Sequence, residues 1–387
     1  MVNERFDFST AGRIIFGAGA LQSISEIALA FGKHALIVKG AHHPNPEGLF
    51  KILDNLGIQK TVFLVAHEPD LDLLEKAVFA GRESKCSFVV GFGGGAPIDT
   101  GKAVAALLNN RGEICDYLEV VGKGLPLQDP SLPYIAIPTT AGTGSEVTKN
   151  AVISIPEKQV KVSMRSAYMI PRISIIDPEL MLSIPPAITA STGMDALTQV
   201  IEPYVSNSPN LMVDMFCQKG ISLAAQSLLL AYQDGNNLQA REKMAYASLL
   251  GGLSLANGKL GAVHGFAGPI GGMFNAPHGV ICAAILPAVM TVNAELVADS
   301  DDSQPKLDRF RAVACWLTGD QNASIQDGVK WIEDLASALH IPGLSSLGIS
   351  EADFPAIIKK AQASSSMKGN PVILTPAQME RILAMSL

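Results

Sequence analysis

Short apolar runs rich in β-branched residues recur through the first half of the chain, over 35–38, 61–65, 87–92, 134–137, 151–155 and 173–176. Helix-like stretches lie between several of them, as over 71–83 and 97–108. Strand and helix alternating in this way predict a mostly parallel sheet with helices on its faces. The pattern changes at Ser183-Ile184-Pro185-Pro186. Beyond it strand-like runs become scarce, and helical patterns cover 189–204, 210–232, 239–257, 304–318 and 324–339. Met, Ala and Leu are frequent there, as helices packed on helices require. The expected organisation is an α/β domain over 1–184 followed by an all-helical domain over 185–387. The length of 387 residues agrees with this, because single cores rarely grow past about 250–300 residues. There are no internal repeats and no low-complexity segments.

Hydrophobic residues make up 48% of the chain and charged residues 17%, enough apolar surface for sizeable cores and too little charge for disorder. The net charge of -7, with no block of Lys and Arg, argues against a nucleic-acid or anionic-membrane partner. Cys86, Cys115, Cys217, Cys282 and Cys315 are widely spaced and form no CxxC pair, so neither a disulfide framework nor a zinc ribbon is indicated. Cys86 and Cys282 lie in apolar runs and read as small buried side chains. The N-terminus lacks the apolar core of a signal peptide. No apolar run reaches the ~20 residues that span a bilayer, and the expected location is the cytoplasm.

Three places carry candidate chemistry. In Gly91-Phe92-Gly93-Gly94-Gly95-Ala96-Pro97-Ile98-Asp99-Thr100-Gly101-Lys102 a strand runs into three glycines, and a helix is expected to start at Pro97. Glycines admit a ligand close to the backbone, and a helix N-terminus offers free N–H groups to a phosphate. The spacing is neither the GxGxxG fingerprint nor a P-loop, since Ala103 follows Lys102. The second place is Pro138-Thr139-Thr140-Ala141-Gly142-Thr143-Gly144-Ser145-Glu146-Val147-Thr148, a hydroxyl-rich loop directly after a strand. Alone it could be a polar turn; beside the glycine loop it suits the second wall of a cofactor cleft. The third is Asp195 and Gln199, four apart on one helical face, with His264 and His278 in a stretch dense in glycine and proline. A carboxylate with two histidines suits a divalent transition metal, although a single histidine is more often a packed or surface residue. His34, His42, His43, His67 and His340 read as surface residues, Glu202 and Asp214 as solvated helix charges, and Trp316 and Trp331 as core or interface residues.

These signals occur in the order found in the iron-containing (group III) alcohol dehydrogenases, which the chain resembles over essentially its whole length. GGGAPIDTGKA resembles that family's GGGS-x-x-D-x-x-K-x segment, with Ala96 in place of the usual serine. PTTAGTGSEVT matches its hydroxyl-rich loop. STGMDALTQVIEPYVS and HGFAGPIGGMFNAPHG resemble its TGMDALTHAIEAYVS and HAMAHPLGGLYDIPHG segments. The resemblance implies a Rossmann-like dinucleotide-binding α/β domain followed by a helical domain, the fold shared with dehydroquinate synthase. It implies an NAD(P)-dependent oxidoreductase that interconverts a small alcohol and its aldehyde or ketone, commonly as a homodimer or larger assembly. Asp195, Gln199, His264 and His278 then stand at the metal positions for Fe2+ or Zn2+, with Gln199 replacing a family histidine. Asp195, His264 and His278 are the implied catalytic residues. Gly40, Gly93, Gly94, Gly95, Asp99, Thr139, Thr140, Gly142, Thr143, Ser145 and Lys161 are the implied cofactor contacts. Gly268 stands where many relatives carry another active-site histidine. Gly40 occupies the place of an acid that grips the ribose in many NAD-using relatives, so the 2′-phosphate of NADP is not repelled, and Lys39 and His42 add positive charge. The rival readings are a metal-free reductase similar to the maleylacetate reductases and a dehydroquinate synthase-like lyase.

Overall fold

The computed structural model describes residues 5–41, 45–182, 184–300 and 303–387; His42, His43 and Ser183 lie outside them. The chain divides into two compact units, one over Ser9–Ile184 and the other over Pro185–Leu387, which the described residues up to Phe8 join.

In the first unit β1 (Ile14–Phe16), β2 (His34–Gly40), β3 (Gln59–Val65), β4 (Phe88–Gly93), β5 (Tyr134–Pro138) and β8 (Ile173–Ile176) form one sheet in the order β1-β8-β5-β4-β2-β3. Every pairing in it is parallel. Alternate residues of each strand feed opposite faces, as the two-residue period of a strand demands. Leu36, Val38 and Val89 pack under α3 (Leu71–Ser84) and α4 (Gly95–Asn109), while Ala35, Ile37, Phe88 and Val90 pack with α1 (Ile24–Ile27) and α2 (Glu47–Asn55). Burial on both faces explains why these strands read as continuous apolar runs. Truncating one such side chain, for example Ile37→Ala, is expected to cost about 2–5 kcal/mol. The Asp70 carboxylate starts α3 by accepting the Leu73 N–H at 2.8 Å.

The apolar run over 151–155 does not belong to that sheet. It forms β6 (Asn150–Ile155), which pairs antiparallel with β7 (Val160–Arg165) in a separate hairpin. Residues 156–159 are too short a link for a parallel crossover, which needs a dozen residues or more.

The second unit is helical: α5 (Pro186–Val205), α6 (Leu211–Gln233), α7 (Leu238–Asn257), α8 (Ala262–Phe274), α9 (His278–Ala298), α10 (Ser303–Thr318), α11 (Ile325–Ala338), α12 (Phe354–Ala363) and α13 (Pro376–Met385). The glycine- and proline-dense stretch around His264 is itself helical, with Pro269 inside α8. By length and composition α9 is long and apolar enough to cross a membrane, contrary to the expectation from continuous runs; 67% of its most apolar window is buried inside the protein. Thr291, Asn293 and Glu295 interrupt the apolar residues without ending the helix. It contacts α5, α8, α10, α11 and α13, as a core helix does.

Candidate active site

The strand order reverses direction between β2 and β4, and the carboxyl ends of such neighbours are where an open α/β sheet offers a ligand crevice. Gly40 ends β2 and Gly93 ends β4. They lie close, since a Cβ on Gly93 would stand 3.5 Å from the Gly40 amide nitrogen. Gly93 has φ +152°, and its Cβ would also meet Pro97 Cγ at 2.7 Å, so a side chain here is excluded twice over. α4 starts at Gly95, two residues before the expected Pro97, with Gly94 as an N-cap that makes no side-chain hydrogen bond. The glycine and hydroxyl loops meet. Cβ atoms on Gly94 and Gly95 would stand 3.3 Å from Thr140 and 2.8 Å from Thr143, and the Thr139 N–H donates to the Gly93 carbonyl at 2.9 Å. Gly142 is buried in the same loop.

Asp99, Ser145 and Lys161, also expected as cofactor contacts, have partners within the protein. The Asp99 carboxylate accepts from the Ser145 hydroxyl and, at 2.9 Å, from the Val152 N–H. Lys102, fully buried, donates to the Ser145 carbonyl at 2.7 Å, the Ser145 hydroxyl at 2.8 Å, the Thr148 hydroxyl at 3.1 Å and the Asn150 carbonyl at 2.7 Å. Burial pushes the Lys102 ammonium below its ordinary value in spite of Asp99. Asp99 and Ser145 thus brace the two loops from behind. Lys161 pairs with Glu68 at 2.5 Å. Lys39 is buried, and His42 is outside the described residues.

A second cluster forms within the helical unit. α5 places Asp195, Gln199 and Glu202 at i, i+4 and i+7 on one face, all buried. α8 carries His264, and α9 begins at His278. Gly279 lets α9 approach α5, since a Cβ there would stand 2.2 Å from the Ser191 carbonyl oxygen. A side chain after His278 would push that imidazole away from Asp195. Asp195 Oδ1 lies 3.5 Å from His264 Nε2 and 3.7 Å from His278 Nε2. Cys282, one turn after His278, holds its Sγ 3.6 Å from His278 Nε2. One ligand atom from each of Asp195, His264, His278 and Cys282 lies within 4.8 Å of all the others. Gly268, one turn after His264, borders open space, as a Cβ there meets nothing within 4 Å.

Glu202 corrects the expectation of a solvated helix charge. Its carboxylate accepts from His264 Nδ1 at 2.6 Å and from the Val263 N–H at 2.7 Å. A carboxylate can only accept, so Nδ1 carries a proton and Nε2 is the atom turned toward Asp195. Burial pulls the His264 imidazole down, but the Asp195 and Glu202 carboxylates reverse this and push it up to about 10. Burial likewise raises Asp195, and the His278 charge with contacts from His264 and Gln199 outweighs it, leaving the carboxyl below its ordinary value. Burial and the nearby Asp195 and Glu202 charges push the Cys282 thiol well up. Among the described residues, Asp195 Oδ1, Gln199 Oε1 and His264 Nε2 are buried polar atoms with no hydrogen-bond partner. Converging lone-pair atoms without a hydrogen-bond partner suit a bound counterpart, and an oxygen, nitrogen and sulfur donor set suits a divalent transition metal. The residues present fit such an ion.

Asp214, also expected to be solvated, is half-buried and paired with Arg309 through both terminal guanidinium nitrogens. Trp316 packs edge-on against Tyr204 at 4.7 Å, and His34 is half-buried with Nε2 2.9 Å from the Thr61 hydroxyl. His67 and His340 are exposed, as expected.

Residues 11–178 match the sequence model of the family described as iron-containing alcohol dehydrogenase, and residues 189–387 match the C-terminal model of the Fe-containing alcohol dehydrogenase family. The 1,3-propanediol dehydrogenase of Klebsiella pneumoniae is 35% identical over 385 residues, 96% of this chain and 96% of that protein. Alcohol dehydrogenase 4 of Saccharomyces cerevisiae (strain YJM789) is 34% identical over 374 residues, 95% of each chain. A crystal structure of 1,3-propanediol oxidoreductase superposes with a TM-score of 0.91 at 32% identity, covering 99% of this chain and 100% of the other. With both halves matched and the fold shared from end to end, the chain belongs to the iron-containing alcohol dehydrogenase family and is an NAD-dependent oxidoreductase of alcohols and aldehydes.

Proposed function

We propose that the chain interconverts a small alcohol and its aldehyde using NAD or NADP, with Asp195, His264 and His278 holding a divalent zinc or iron ion. When bound, the nicotinamide carries the hydride and the cation polarises the substrate oxygen. The observation that carries this reading is the convergence of His264 Nε2 and His278 Nε2 on Asp195 Oδ1, at 3.5 and 3.7 Å, with Asp195 Oδ1 and His264 Nε2 buried and without a hydrogen-bond partner among the described residues. Glu202 fixes the His264 tautomer so that Nε2 offers its lone pair once its proton has left. Gly93, Gly94 and Gly95 with the first amides of α4 are read as the pyrophosphate cradle, and Thr139, Thr140, Gly142 and Thr143 as its polar wall. Gly40 at the end of β2 leaves room for a ribose 2′-phosphate, so the reading includes NADP. Five free cysteines suit a reducing cytoplasm.

The test is metal analysis of the purified protein, combined with oxidation of NADH and NADPH by a panel of aldehydes before and after chelation. Turnover that falls with metal content and returns with zinc or iron supports the reading. Full turnover by thoroughly demetallated protein refutes the metal part and favours a metal-free reductase.

A further inference from the structure

Cys282 is the member of the cluster that the reading above leaves without a role. It sits four residues after His278 on α9, so the two share one helix face. In a tetrahedral zinc site, bonds of about 2.0–2.3 Å set neighbouring ligand atoms about 3.3–3.6 Å apart. The separations found here are 3.5 Å for Asp195 Oδ1 to His264 Nε2, 3.7 Å for Asp195 Oδ1 to His278 Nε2 and 3.6 Å for Cys282 Sγ to His278 Nε2. Three of the six separations therefore match such a site, and all four ligand atoms, the thiol among them, lie within 4.8 Å of one another. Independently, two of the other corners, Asp195 Oδ1 and His264 Nε2, are buried and have no hydrogen-bond partner among the described residues.

Donor chemistry points the same way, since sulfur is a better donor for zinc than the amide oxygen of Gln199.

We infer that Cys282 is a metal ligand in this chain, its thiolate completing a four-donor set with Asp195, His264 and His278 that favours zinc or cobalt over magnesium or manganese. On binding, a sulfur–metal bond forms, the S–H bond breaks and the proton leaves to solvent. This inference rests on the metal reading above.

The experiment uses full-length protein, stripped of metal and titrated with cobalt(II). Wild type is expected to show a near-ultraviolet thiolate-to-cobalt charge-transfer band. Cys282→Ser is expected to lose that band while keeping weaker visible cobalt bands. Competition with a chromophoric chelator is expected to show zinc affinity at least about 10-fold weaker in the variant. Wild type that binds one cobalt without the charge-transfer band overturns the inference while leaving the metal reading intact, and this result needs no variant. A band and zinc affinity unchanged in Cys282→Ser overturn it in the same way. If wild type binds neither cobalt nor zinc, the metal reading fails and the inference falls with it.

Discussion

Replacing Glu202 by Gln tests whether the helical cluster is built to hold a cation or merely packed. The substitution keeps size and shape but removes a buried charge that accepts from His264 Nδ1 at 2.6 Å and from the Val263 N–H at 2.7 Å. The two donors meet different carboxylate oxygens, so the NH2 group of Gln must face one of them. Losing one buried hydrogen bond to a charged group costs about 1.5–3 kcal/mol. Loss of a partner that orients a metal-bound histidine typically weakens metal affinity about 10–100-fold, which is about 1.4–2.7 kcal/mol. One effect opposes this weakening, because Glu202 also favours the proton on Nε2 that must leave when metal binds. The ion carries twice the charge of that proton, so the balance stays with Glu202. Zinc affinity of Glu202→Gln, measured by chelator competition near pH 7.5 (about a unit above the ordinary histidine value), is expected to fall 10- to 100-fold. Thermal unfolding in excess EDTA, run alongside, separates loss of fold from loss of ligand orientation. A folded variant with wild-type zinc affinity would refute the reasoning and leave Glu202 as a packing residue.

Four further outcomes are expected. Gly94→Val should weaken NAD(P) binding by at least about 10-fold, since its Cβ would stand 3.3 Å from Thr140 and its branches would fill the proposed phosphate cradle; unchanged calorimetric affinity in a folded variant reduces the loop to a turn. Gly40→Asp should move the ratio of kcat/KM toward NAD, because a carboxylate at the end of β2 repels a 2′-phosphate; an unchanged ratio places the ribose elsewhere. Gln199→His should tighten zinc or iron binding and His278→Ala should weaken it, as imidazole is the better donor; identical chelator sensitivity in both variants and wild type contradicts the shared site. The metal-free protein should lose stability as pH rises. The folded His264 value of about 10 lies above its ordinary 6.5, so its contribution is complete below 6.5 and is lost as pH passes through 10, by no more than about 5 kcal/mol. Zinc-loaded protein, whose imidazole is already deprotonated, should lack that slope, and parallel curves of Tm against pH for the two forms would contradict it.

What the sequence disclosed and what it concealed have physical causes. Gly93–Gly95 and the loop from Thr139 to Ser145 were legible because each is a contiguous strand-to-loop junction, where residue type alone dictates backbone behaviour. The partners of Asp99 and Ser145 were not, since they depend on which loops the parallel sheet brings together. Glu202 was misread because α5 is buried nearly all round, leaving no polar face against which an inward charge stands out. Its spacing of seven from Asp195 was the available signal. Cys282 was hidden in the same way, as an apolar residue in a helix apolar on every side. Helical structure around His264 was masked by glycines that serve close packing and by Pro269, which α8 accommodates in its interior.

The Lys102 ammonium binds oxygens of Ser145, Thr148 and Asn150 beneath the glycine-to-helix junction. Loops that receive a ligand usually surrender freedom when it arrives, and that loss subtracts from affinity. Here the ordering is accomplished during folding, by a cation too deep for solvent to compete with. Because one group restrains several segments at once, removing it with Lys102→Met would release them together rather than one by one. Dinucleotide association with the native protein should therefore resemble docking onto a rigid template, with backbone amide exchange in the 139–148 loop slow before any ligand is added.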